Sequence, residues 1–143
     1  MRAPSADLAI RVPGTRAGLA TALNATREWL SGQDVAPAAA DRVALVVEEA
    51  LMNVAMHGRT PEGAPVDLQA ELALHLEPGT IAICLQDNGR AFNPHDAAPP
   101  PAPASAAEAT PGGLGVHLLR HFARTMTYER RDGLNVLRLS LQR

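Results

Sequence analysis

Glu49 and Asn53 stand four residues apart and His57 follows after four more, a spacing that puts all three on one helix face, a turn apart. A carboxylate there can take a proton, and an amide oxygen can ligate Mg²⁺ without adding charge. Taken alone, the pair is more simply a solvated stripe, since Asn inside a helix is only mildly unfavourable. A second group, Gln86-Asp87-Asn88-Gly89-Arg90-Ala91-Phe92-Asn93-Pro94, follows an apolar run. An Asp at a strand end can accept from an exocyclic amine, and Gly89 lets a flat ring approach the backbone. Asn-Gly is also a hairpin signal, but Phe92-Asn93-Pro94-His95 supplies no returning strand. Third, Gly112-Gly113-Leu114-Gly115 opens a helical run, where glycines free backbone N–H groups to meet phosphate.

The elements that would position these groups are readable from periodicity. Leu8 to Val12, closed by Pro13-Gly14, predicts an opening strand. Leu19, Ala22, Leu23, Thr26 and Leu30 form one face of a helix over 15–31, with Thr15 as cap and Gly32 as stop. A second helix runs from Pro37 to His57, ended by Gly58 and apolar nearly all round. Arg59 to Pro65 reads as a loop. Alternation from Val66 to Leu76 predicts a half-buried strand, Pro78-Gly79 a turn, and Ile81 to Leu85 a more continuous strand. Asp96 to Pro111 is dominated by Ala and Pro and predicts a mobile loop, a lid or a binding loop. Leu114 to Ala123 predicts a third helix, and Thr125 to Glu129 and Leu134 to Leu141 two strands turned at Asp132-Gly133. The expected architecture is α+β. It is a two-layer sandwich, with a mixed, mostly antiparallel sheet of about five strands and three helices on one face.

Composition removes several chemistries. The chain of 143 residues suits one domain. All 13 basic residues are arginine. Without lysine there is no Walker-type phosphate loop, no protein kinase of the common fold, and no Schiff-base or Ser-Lys chemistry. A formal charge of −2 argues against direct nucleic-acid binding. Cys84 stands alone, which excludes an internal disulfide and fits a reducing compartment. No apolar run reaches membrane-spanning length, so the expectation is a cytoplasmic protein with no membrane partner. His117 and His121 share a helix face but lack a third metal ligand, and Arg120 and Arg124 read as solvated charges.

Order and spacing supply the specificity the single motifs lack. The set resembles the GHKL ATPase superfamily with its Bergerat ATP-binding fold, and within it the anti-sigma-factor serine/threonine kinases of bacterial partner-switching systems. Glu49-x-x-x-Asn53-x-x-x-His57-Gly58 matches the N box, Asp87-x-Gly89-x-x-Phe92-x-Pro94 the first glycine box, and Gly113-x-Gly115 the second. The likeness covers nearly the whole chain as a single histidine-kinase-like ATPase domain, with the ATP lid at about 96–111. It implies ATP and Mg²⁺ as cofactors. Glu49 is then the general base toward a partner's Ser or Thr, and Asn53 holds Mg²⁺. Asp87 accepts from the adenine amino group, Gly89 lets the ring pack, and His57 and Phe92 complete the site. Gly113 and Gly115 give backbone donors to the phosphates. Two departures stand out. Ala109-Thr110-Pro111-Gly112 lacks a basic residue that some relatives place there, and Asn135 occupies the place of a Thr beside the adenine. The implied partners are a STAS-domain antagonist, which is phosphorylated, and a sequestered sigma factor or similar regulator. A homodimer is within the family's range. The alternative is a nucleotide-binding sequestering protein without useful kinase activity. A histidine-kinase catalytic fragment fits less well, because no dimerisation helix with a phospho-acceptor His fits this length.

Overall fold

A computed structural model describes residues 7–58, 67–96 and 115–143. Five strands and three helices run in the order β1 (Asp7–Pro13), α1 (Arg16–Ser31), α2 (Pro37–His57), β2 (Gln69–Glu77), β3 (Thr80–Asp87), α3 (Gly115–Phe122), β4 (Thr125–Arg131) and β5 (Leu134–Gln142). A short 3₁₀ turn, Pro94–Asp96, precedes α3. The strands form one sheet ordered β1-β2-β3-β5-β4. Every ladder among the described residues is antiparallel, so the parallel component of the expected mixed sheet is absent from them.

Each element has a local cause. Thr15 sits in extended backbone and its side chain accepts from the Gly18 N–H, which caps α1, while the Gly32 N–H closes the other end. Gly18, Ala22, Thr26 and Leu30 are the buried stripe of α1, and the Thr26 hydroxyl donates to the Ala22 carbonyl. Pro37 opens α2 and the Gly58 N–H returns to the Val54 carbonyl. The alternation expected from Val66 begins as a strand only at Gln69. Asn88 explains the boundary, since its side chain accepts from the Gln69 N–H and donates to the Asp67 carbonyl.

Register carries the core across the sheet. Leu72 faces Leu85, which faces Leu137, and Leu74, Ile83 and Leu139 repeat the row. These side chains are buried with Val43, Val46, Val47 and Leu51 of α2 and Leu119 of α3. Smaller and polar residues such as Ala73, Cys84 and Arg138 alternate with them on the other face. The same alternation places Asp87, the last residue of β3, opposite Asn135 of β5, with both side chains on the core-facing side and buried. No described helix is long and apolar enough to cross a membrane.

Candidate functional site

The site forms where α2 ends against the last residues of β3. Asp87 and Asn53 are two of the four buried polar side chains among the described residues, with Thr26 and Asn135. Both line a small cavity of about 30 Å³ with Ala50, Phe92, Tyr128 and Asn135. That is room for little more than water. A second, more open cavity of about 610 Å³ lies between α1 and α2, lined by Leu19, Leu23, Met52 and Met56.

Asn53 is 5 % exposed, and neither its amide nitrogen nor its amide oxygen has a hydrogen-bond partner among the described residues. A buried amide left in this state costs on the order of 1–3 kcal/mol relative to a paired one. A ligand that brings polar atoms to it recovers that loss. One turn earlier, Glu49 is half-buried, and burial, with the charge of Glu48, raises its carboxyl above the usual range. One turn later, the His57 ring stacks on Phe92, with centroids 4.1 Å apart and planes within 4°. Burial and the Arg90 charge push His57 down, which favours the neutral ring.

Asp87 uses one oxygen twice. Its Oδ1 accepts from the Gly89 N–H at 2.9 Å and from Asn135 Nδ2 at 2.9 Å. Burial raises the Asp87 carboxyl, offset in part by these bonds and by the Arg130 charge. Gly89 could not be another residue without displacing backbone, because an added Cβ would meet the Gly58 Cα at 2.6 Å. The loop after Asp87 is fastened from several sides. The Arg90 N–H donates to the Gly58 carbonyl, and Arg130 Nη1 donates to the Gly89 carbonyl at 2.8 Å. Arg120 Nη2 donates to the Pro94 carbonyl at 2.8 Å and the His95 carbonyl at 2.6 Å.

Asn53, Asp87, Phe92 and the buried Pro94 line the small cavity, with His57 stacked on Phe92 and Gly89 bonded to Asp87, whereas Glu49, one turn before Asn53 on α2, is not among its lining residues. Gly115 opens α3, whereas Gly113 and the expected lid lie outside the described residues. Arg120 is exposed, as expected of a solvated charge, and its guanidinium also donates to two backbone carbonyls. Three residues of this network were not singled out from the sequence: Tyr128, Arg130 and Arg90. Tyr128 and Arg130 sit on β4, whose Thr-Met-Thr-Tyr-Glu-Arg-Arg gives no local signal of a site. No cluster of three or more His, Cys, Asp or Glu suited to a metal occurs among the described residues. A Mg²⁺ ion here would be met by Asn53 and by oxygens of its ligand, a donor set that suits a hard cation. The unpaired Asn53 amide fits that part.

Residues 12–141 match the histidine kinase-like ATPase domain family. The chain belongs to that family. It is 40% identical over 96 residues to the serine/threonine-protein kinase BtrW of Bordetella bronchiseptica, a region covering 67% of this chain and 66% of that protein. The chain thus aligns with slightly less than two thirds of this curated relative. Two solved structures share the fold. One is the crystal structure of the RsbU and RsbW domains of Rv1364c from Mycobacterium tuberculosis, with a TM-score of 0.66, 16% identity, and coverage of 99% of this chain and 33% of that one. The other is the SiaB-SiaC complex from Pseudomonas aeruginosa, with a TM-score of 0.63, 18% identity, and coverage of 94% and 88%. Both share the open antiparallel sheet with three helices.

Proposed function

We propose that the protein is an ATP-dependent serine/threonine protein kinase that acts as an anti-sigma-type regulator. In this reading it phosphorylates a STAS-type antagonist and sequesters a sigma factor or similar regulator. The observation that carries the nucleotide part is Asn53, a buried amide with both polar atoms unpaired, between Glu49 and the Asp87 cavity. A ligand with hard oxygens satisfies it. The likeness to BtrW supports the choice of a protein hydroxyl as acceptor.

The residues divide the work. Asp87 accepts from the amino group of adenine through Oδ2, since Oδ1 is already engaged. Gly89 gives the base room against the backbone, and Phe92, braced by His57, supplies an apolar wall. Asn53 holds Mg²⁺, which when bound offsets charge on the phosphates. Gly113 and Gly115 offer backbone donors at the start of α3. Glu49 accepts the proton as the partner's Ser or Thr oxygen bonds to the γ-phosphorus and ADP leaves. Burial suits Glu49 to this role, because a raised carboxyl is a stronger base once ionised.

The test is labelled phosphate transfer from ATP to proteins that co-purify with the chain. Wild type should transfer label, and Glu49→Ala should lose transfer by at least about a hundredfold while still binding ATP. If wild type binds ATP and holds its partner but transfers nothing, the sequestering protein without kinase activity is the correct reading. That second reading draws on the lack of a basic residue just before Gly112, while Arg120 and Arg130 donate to backbone carbonyls.

A further inference from the structure

Asn135 has no hydrogen-bonding capacity left for a base. Its Nδ2 donates to Asp87 Oδ1 at 2.9 Å and to the Arg90 carbonyl at 2.8 Å. Its Oδ1 accepts from the Tyr128 hydroxyl at 2.5 Å and from the Phe92 N–H at 3.3 Å. Two N–H donors and two lone pairs are the whole inventory of an amide, and all four are in use. The side chain is 5 % exposed, so water does not compete for them.

These four bonds also fix which way the amide points. Turned over, it would set its oxygen against Asp87 Oδ1 and the Arg90 carbonyl, and its N–H₂ against two donors. The Tyr128 hydroxyl is the shorter of the two bonds to the Asn135 oxygen, and Tyr128 reaches it from β4, the edge strand. With the amide so held, Asp87 Oδ1 has two donors, which leaves Oδ2 as the oxygen that can accept from a ligand in the cavity Asp87 lines. Across the ladder from Asn135, Arg130 holds the Gly89 carbonyl, so the same edge strand steadies both sides of the Asp87-Asn88-Gly89 turn.

We infer that Tyr128 and Asn135 are positioning residues that set base selectivity. They hold Asp87 as a one-oxygen acceptor that takes a purine bearing an amino group at C6 and rejects one bearing an oxo group there. The inference rests on the ATP reading above and specifies how that site chooses its nucleotide. An oxo oxygen would face the Asp87 carboxylate with no proton between them, and a site built around one hydrogen-bond partner discriminates strongly against its absence. The pair acts through Asp87.

Calorimetric binding of ATP and inosine triphosphate, each with Mg²⁺, tests this. Wild type should favour ATP. Tyr128→Phe removes one oxygen and should weaken ATP about fivefold while leaving inosine triphosphate nearly unchanged, so the ratio between them narrows. In an Asp87→Asn background the ratio should already be collapsed, and Tyr128→Phe should change it no further. A general loss of packing would weaken both nucleotides alike. If Tyr128→Phe leaves the ratio at the wild-type value, the inference fails while the ATP reading stands. If wild type binds neither nucleotide, the ATP reading itself fails and takes the inference with it.

Discussion

A buried amide without a partner is held at a loss, and Asn53 is the residue where this site carries such a loss. Asn53→Leu keeps the volume and removes both orphan atoms. Its melting temperature without nucleotide should rise by roughly 2–4 °C, as expected for a gain of about 1 kcal/mol in a domain of this size. The same variant should lose its response to Mg²⁺-ATP. Asp87 makes a parallel case through ionisation. Its carboxyl is raised by burial, so the folded chain holds the proton more tightly than the unfolded chain and ionisation weakens the fold. That stabilisation is whole below the unfolded value of about 3.8 and is lost as pH rises through the folded value. Asp87→Asn should therefore be more stable than wild type at pH 7, with an advantage that shrinks on acidification, followed by melting across pH. Glu49 titrates in the same sense with a different readout. Protonated Glu49 cannot accept the hydroxyl proton, so transfer should fall in acid with a midpoint above the ordinary 4.5. Glu49→Asp tests the position of that limb.

At the scale of elements, the contact that constrains substitution at the site is the approach of two turns, Gly89 after β3 and Gly58 after α2. A methyl group on Gly89 would meet the Gly58 Cα at 2.6 Å and its carbonyl oxygen at 2.8 Å, and backbone has nowhere to go without opening the site. Gly89→Ala should destabilise by about 1–3 kcal/mol in urea melts and weaken ATP as well. Gly133→Ala is the control. It sits at φ +78 in the β4–β5 turn with open space around it, so it should strain the turn and leave nucleotide binding alone. These elements differ in how far the sequence reveals them. Pro37 and Gly58 bound α2 as residues that suit a helix's first turn and its end, so both limits are readable. The start of β2 is not, because alternation runs on through Val66 and Leu68 while the ladder waits for Asn88 to close on Gln69. β4 is the extreme case. Nothing local marks Tyr128 or Arg130, and only the register that sets Arg130 beside Asn135 brings them to Asp87. Asn135 was legible as a site position. Its four bonds were not, since they come from β3, β4 and the loop after Gly89.

Over the whole molecule, the loop after β3 is tied to α2 by Gly58, to β4 by Arg130, to β5 by Asn135 and to α3 by Arg120. A ligand seated there engages a turn to which most of the fold is fastened, so binding should appear as global stability rather than as local ordering. The size of the effect follows from mass action. With Mg²⁺-ATP at about a hundred times its dissociation constant, the folded state gains about 2.7 kcal/mol, or roughly 5–10 °C in melting temperature. The variants then separate by where each acts. Glu49→Ala leaves every tie intact and should keep the full shift while losing transfer. Asn53→Leu should start higher and gain little, because the group that meets the ion is gone. Arg120→Ala releases the Pro94 and His95 carbonyls from α3. It should lower the nucleotide-free melting temperature by a few degrees and reduce the shift, while Arg120→Lys recovers part of both. If Arg120→Ala keeps the whole shift, α3 and the loop after β3 respond to nucleotide independently and the fold does not act through that clamp. A shift lost in Arg120→Ala but restored by the lysine places the link between α3 and the loop after β3 in the positive charge at that position.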